Sequence, residues 1–342
     1  MSPRTAVVVA AGTGLAAAST LVLTEAARRV ALRLGLTDRP APHKAHARPT
    51  PYLGGVALVV GSLLPAALLA RPWNTPFVTV VAGGVVVAGL GLVDDIKTLS
   101  PLTRLVVEAF AATAVVFSTR PLAVSGVFWP DLALTAAWIV VLTNSFNLLD
   151  NIDAAAASVA AATAGVLGLA ALLAGRVPVA VLLWGLAGAC VGFLAHNRPP
   201  ARIFMGDAGS IFIGFVIAAT ALLLTPPAPA NAYPALLLVT FVATVDTTLV
   251  LVHRKLTGRS WLSGGTDHIS HRLRRLGLST GWVAAVLAVV AACASALGVL
   301  VAGRVVPGWP TLVAAVLGVA GSVSLLLMVP VREPSRPAPR PS

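Results

Sequence analysis

Charge is scarce in this chain of 342 residues: Asp, Glu, Lys and Arg make up 11% of it, against about 25% in a soluble domain. Together with 57% hydrophobic residues and a mean hydropathy of +0.91, that scarcity excludes an ordinary soluble fold. Cysteine is nearly absent. Cys190 and Cys293 both fall inside apolar stretches, too few for a disulfide framework and without metal-site spacing. No internal repeat is visible, so the sequence lacks the signature of an inverted-repeat transporter.

Long apolar runs fill the space that charge leaves. About 20 apolar residues span a bilayer core, and only helices satisfy their own backbone there without a closed barrel. The hydrophobic pattern predicts an all-α polytopic membrane protein. Eleven spans are expected, near 5–26, 53–71, 76–94, 104–119, 131–149, 157–175, 177–195, 208–226, 234–252, 281–303 and 310–331. The first has a weak basic flank before it and a strong one after it, so it reads as a retained helix and not as a cleaved signal. The expected organisation is one transmembrane catalytic domain over 1–331, with loops at 27–52, 94–103, 150–156, 196–207 and 253–280, and a Pro-rich disordered tail at 332–342.

Loops after odd-numbered spans, with the tail, hold 19 of the 24 Lys and Arg residues, and the opposite side holds five. The positive-inside rule therefore places the odd loops in the cytoplasm and the N-terminus outside. The net charge of +12 is mostly this bias. It suits lipid phosphates or a phosphorylated substrate and does not indicate nucleic acid.

The remaining polar residues gather in five clusters on that side, with all six histidines and eleven of the twelve carboxylates on or near it. Ionisable groups at membrane depth are expensive and usually functional. DRPAPHKAHARPTPYLGG, with Lys44, His46 and Arg48, reads as a stiff basic loop or a headgroup anchor. GLVDDIKTLSPLTR carries Asp94 and Asp95. Adjacent helix positions point about 100° apart, so the two carboxylates should have different partners. A solvated helix end with Lys97 and Arg104 as counter-ions is the plain alternative. In NSFNLLDNIDAAAAS, Asn144, Asn147, Asp150 and Asn151 share one helical face, with Asp153 at its edge. That stripe should face a cavity holding a cation, sugar or base, unless the amides only bond between helices. HNRPPARIFMGDAGS places Asp207 between glycines at the start of the eighth span, where it could hold a divalent metal beside phosphate, although Gly-Asp-x-Gly is also a common turn. HRKLTGRSWLSGGTDHISHRLRRLG packs His253, His268 and His271 with six basic residues. Hard carboxylates elsewhere favour Mg²⁺ over zinc, and Arg274 and Arg275 read as topology signals.

In this order the five clusters resemble the polyprenyl-phosphate N-acetylhexosamine-1-phosphate transferases, from about Asp38 to Gly277 and nearest the N-acetylglucosamine-1-phosphate branch. The resemblance implies transfer of a sugar-1-phosphate from a UDP-sugar to polyprenyl phosphate, releasing UMP. It implies Mg²⁺, with Mn²⁺ as the alternative, and a site on the cytoplasmic face of a bacterial membrane. A muramoyl-pentapeptide substrate is the runner-up, a transporter is the rival class, and a homodimer stays open. The expected catalytic set is Asp94, Asp95, Asp150 and Asp153, with Asp94 acting on the lipid phosphate. Asp207 and Asp150 are the expected metal ligands. Lys44, His46, Asn144, Asn147, Asn151, Phe204, His268, His271 and Arg272 are the expected substrate-binding residues. The chain departs from the family where Asn151 and Ala154 replace glycines and Ser270 replaces a histidine.

Overall fold

The structure, a computed structural model, describes residues 2–38, 49–226, 228–261 and 265–330. Lys44, His46 and the tail at 332–342 lie outside the described residues. Thirteen helices and one two-residue hairpin make up the described chain: α1 (Pro3–Leu34), β1 (Thr37–Asp38), β2 (Thr50–Pro51), α2 (Gly54–Leu69), α3 (Thr75–Ile96), α4 (Pro101–Ser118), α5 (Phe128–Leu149), α6 (Ala155–Leu173), α7 (Val177–Asn197), α8 (Gly206–Leu224), α9 (Pro229–Val239), α10 (Phe241–Leu256), α11 (Ile269–Arg275), α12 (Thr280–Ala302) and α13 (Gly308–Leu327).

Among the described residues, nine helices are long and apolar enough to cross a membrane, or ten if α9 and α10 form one bent span. The chain is a polytopic all-helical membrane protein. Two expected spans differ in detail. The second is a helix of 16 residues, about 24 Å at 1.5 Å per residue, shorter than the roughly 30 Å core. The ninth is broken by a 73° bend at Thr240. There the Thr240 hydroxyl donates to the Leu236 carbonyl at 2.8 Å, the i−4 back-bond that accompanies helix bending. The first helix also outruns its expected span, reaching Leu34. Glu25 accepts from Arg28 and Arg29 at 2.9 Å each, and such i,i+3 and i,i+4 pairs carry a helix on past the lipid.

Short sequence signals start the helices. Asn74, Ser100 and Ser279 each accept a backbone N–H three residues on, and Pro76 and Pro101 sit in the first turns they cap. The centre of the bundle is α8, with α3, α5 and α2 against it; α7 packs beside it between α1, α2 and α6. Close approach at the polar end depends on glycines. A Cβ on Gly91 would lie 2.6 Å from the Asp207 backbone, and one on Gly55 would lie 2.3 Å from the Gly209 nitrogen. Small residues of this kind let membrane helices meet backbone to backbone.

Candidate active site

The last turn of α3 meets the first turn of α8. Asp95 Oδ1 accepts from the Asp207 N–H at 2.8 Å, and Oδ2 from the Ala208 N–H at 3.1 Å. A carboxylate from one helix therefore caps another, where the helix dipole favours negative charge. Gly206, at φ +65°, makes the turn, and a Cβ there would strike the Asp95 carboxylate at 2.6 Å. Asp94 points elsewhere, as adjacent helix positions require. Its Oδ1 accepts from the Leu99 N–H at 2.5 Å and its Oδ2 from Arg104 Nη1 at 2.8 Å. Arg104 also reaches Asp207 Oδ2 at 2.9 Å. The counter-ion Arg104 thus belongs to Asp94 and Asp207, and Asp95 is held by backbone alone.

The α5 stripe divides. Asn147 Nδ2 donates to Asp207 Oδ1 at 2.8 Å and to Ser210 Oγ at 3.1 Å, fixing the metal-candidate carboxylate from a second side. Asp150 caps α5, half-buried, and among the described residues its carboxylate has no hydrogen-bond or ion-pair partner. Asn151 donates to the Leu148 carbonyl at 2.8 Å and accepts from the Ser270 hydroxyl. Asp153 Oδ2 accepts from the Ala201 N–H at 2.9 Å. Asn144 corrects the expectation. It donates to Glu108 of α4 and to the Val140 carbonyl and is not among the cavity-lining residues, because a buried carboxylate on the neighbouring helix claims it.

The 198–205 segment is held by Asn197, whose Oδ1 accepts from the Ala154 N–H at 2.9 Å and whose Nδ2 donates to the Ile203 carbonyl at 3.0 Å. Phe204 is pinned through its backbone, donating to the Pro51 carbonyl at 2.8 Å and accepting from Gly54 at 3.0 Å.

In the last cluster, His271 reaches the cavity while His268 lies beneath it, with ring centroids 6.3 Å apart. His268 Nδ1 is 2.8 Å from Asp246 Oδ2, and Asp246 Oδ1 accepts from the Ile269 N–H at 2.8 Å. Asp246, fully buried on α10, so orients His268 and caps α11. Arg272 is a second correction. Its Nη1 donates to the Leu326 and Val329 carbonyls at 2.8 and 2.7 Å, so it clamps α11 to the end of α13 and does not line the cavity.

What remains is a cavity of about 710 Å³. Asp38, Asp94, Asp95, Asp150, Asp153 and Asp207 line it, with Asn147, Asn151, Asn197, Phe204, Tyr52, Ser210 and His271. Burial, reinforced by Asp207, Asp153 and Asp95, pushes the Asp150 carboxyl up to about 7. Burial first, then His268 and Arg274, lowers His271 to about 4. Six carboxylates facing one cavity form an acidic lining that suits a cation. Among the described residues, no three His, Cys, Asp or Glu side chains converge as a ready-made metal cage. Mg²⁺ does not need one, because it takes one or two carboxylates and fills the rest with water and substrate phosphates. The hard oxygens of Asp207 and the unpartnered Asp150 fit that requirement.

Sequence reasoning missed four contributors. Arg104 was read only as a counter-ion, although it lies ten residues from Asp94 and on a different helix. Glu108 and Asp246 carried one available signal, a lone carboxylate in an apolar span. Asn197 carried none beyond its position at the end of α7.

The geometry gathers carboxylates, amides and one imidazole from several helices around one cavity. The profile of glycosyl transferase family 4 matches residues 77–225. A glycosyltransferase-class protein of Streptomyces coelicolor, with no substrate in its description, is 38% identical over 337 residues, covering 96% of this chain and 79% of that protein. The decaprenyl-phosphate N-acetylglucosaminephosphotransferase of Mycobacterium tuberculosis is 35% identical over 305 residues, covering 77% of this chain and 75% of that enzyme. The phospho-N-acetylmuramoyl-pentapeptide-transferase of Nostoc punctiforme is 34% identical over 221 residues, covering 56% and 59%. The chain belongs to glycosyl transferase family 4, among the polyprenyl-phosphate sugar-1-phosphate transferases.

Proposed function

We propose that the chain transfers N-acetylglucosamine-1-phosphate from UDP-N-acetylglucosamine to a polyprenyl phosphate, on the cytoplasmic face of a bacterial membrane. The observation that carries this reading is the convergence of Asp94, Asp150, Asp153 and Asp207, from three separate sequence clusters, on one cavity of about 710 Å³. The longer match to the N-acetylglucosamine enzyme than to the muramoyl-pentapeptide enzyme favours the sugar. The 19-to-5 split of basic residues supports the face.

In the reaction, an oxygen of the lipid phosphate bonds to the β-phosphorus of the UDP-sugar. The bond from that phosphorus to the bridging oxygen breaks, and UMP leaves with its electron pair. Asp207 and Asp150 would hold Mg²⁺, which when bound offsets the charge of the pyrophosphate and the leaving UMP. Asn147 fixes the Asp207 rotamer through its 2.8 Å bond. A phosphate monoester has its second pKa near 6, so at neutral pH the nucleophile is largely deprotonated already. Asp94, with both oxygens engaged, then serves to aim Arg104 more than to take a proton. Arg104, paired with Asp94 and Asp207, offsets the negative charge of those two carboxylates at the cavity wall. His271 is held neutral by burial and presents a hydrogen-bonding ring without an added charge.

The test is a substrate panel. Purified protein in nanodiscs receives polyprenyl phosphate, Mg²⁺ and either UDP-N-acetylglucosamine or UDP-N-acetylmuramoyl-pentapeptide, and UMP is measured. The reading expects UMP from the first. Release only from the second would move the chain to the muramoyl branch.

A further inference from the structure

A second cavity, of about 340 Å³, shares His271 with the acidic one. Its lining is Thr266, His271, Arg274, Arg275, Leu278 and Ser279. Among the described residues, no carboxylate belongs to that lining. The nearby Asp267 is engaged by His253, Arg254 and Arg259 at 2.9–3.3 Å. Arg275 spends one nitrogen on the Pro330 carbonyl. Arg274 is exposed, and among the described residues its guanidinium has no hydrogen-bond or ion-pair partner. Ser279 Oγ accepts from the Trp282 N–H at 3.4 Å, which leaves its hydroxyl proton for another acceptor.

We propose that this pocket binds the headgroup phosphate of an anionic glycerophospholipid. Two guanidinium groups and two hydroxyls with no acid among them select an anion with several acceptor oxygens, which a phosphodiester supplies. The position selects a lipid over a dissolved ion. α12 begins at Thr280 and is a membrane span. Leu276 and Trp282, beside the pocket, are 60% and 69% exposed. An exposed tryptophan at the end of a span marks headgroup depth, and basic pockets at that depth between helices take acidic headgroups. Leu278 and Leu276 then meet the first methylenes of the lipid. His271 is a wall of both cavities, so a bound headgroup would change the charge facing the reaction cavity.

Because His271 is shared with the reaction cavity, lipid binding is measured directly and not through turnover. Native mass spectrometry would count phosphatidylglycerol retained by protein released from nanodiscs of phosphatidylcholine with a fraction of phosphatidylglycerol. Arg274→Gln and Arg274→Gln/Arg275→Gln are compared with the unaltered chain. Arg274 holds no partner, so the single variant keeps the test free of folding effects. Each guanidinium removed should weaken retention about fivefold, with phosphatidylcholine retention unchanged. Equal phosphatidylglycerol retention in all three proteins would overturn the proposal. So would displacement of the lipid by inorganic phosphate at matched concentration, since the pocket would then be a site for the free ion.

Discussion

Asp94 and Asp95 are neighbours in the chain, and the structure gives them different work. Asp95 closes the N-terminus of α8 through two backbone bonds, whereas Asp94 holds Arg104. Asp95→Ala should therefore lower the thermal midpoint by the equivalent of about 0.5–2 kcal/mol, the usual loss for a helix cap. Asp94→Asn keeps the Leu99 bond and leaves Arg104 with Asp207 as its charged partner. It should lower kcat about 10²-fold, the loss expected when a reacting group is displaced by about 1 Å, while UDP-sugar binding by calorimetry stays near that of the unaltered enzyme. Matching mild losses in both variants would mean a solvated helix end. His271 gives a pH test. Its folded pKa is lowered from 6.5 to about 4, so the fold favours the neutral ring. The stability this contributes is fully present above about 6.5 and is lost as pH falls through about 4. The midpoint of the unaltered protein minus that of His271→Gln should fall across that window. A difference independent of pH would refute the assignment. That Asn147, Asp150 and Asp153 face a cavity was legible at this scale, because a polar stripe leaving an apolar helix must face something polar. The partners of Asn144 and Arg272 were not. Helical periodicity tells which face a residue occupies, but not that Glu108 or the α13 carbonyls would claim it first.

The elements carry the departures from the family pattern. Ala154 replaces a glycine and sits at φ 68°, in the left-handed region that disfavours a Cβ by about 1–2 kcal/mol. It stays there because Asn197 accepts its N–H and the first turn of α6 packs behind it. Ala154→Gly should raise the thermal midpoint by the equivalent of about 1 kcal/mol. A lower midpoint would show that the Ala154 methyl is needed for packing. The helices themselves were readable from long apolar runs. The bend at Thr240 was not, since a hydroxyl in an apolar run looks the same whether the helix bends or not. Nor was Asp246 readable as the cap of α11, because 22 residues separate it from His268.

At the scale of the whole molecule, six carboxylates and His271, drawn from all five polar clusters of the sequence, line one cavity. Their clustering was visible as a one-sided distribution of charge along the chain, before any contact was known. It also supports the proposed orientation. In a background with Cys190→Ala and Cys293→Ala, Lys255→Cys, at an exposed position in the last turn of α10, should react with a membrane-impermeant thiol reagent only in inverted vesicles. Labelling in intact cells would reverse the orientation and place the cavity outside. The central claim is that the acidic cavity between α3, α5 and α8 performs phospho-sugar transfer. The most direct measurement is single-turnover UMP release from UDP-N-acetylglucosamine with polyprenyl phosphate and Mg²⁺, in the unaltered chain and in Asp207→Asn. The account predicts release that requires the lipid phosphate and Mg²⁺ and falls at least about 10²-fold in Asp207→Asn, with an unchanged thermal midpoint. Equal release from the two proteins would contradict it.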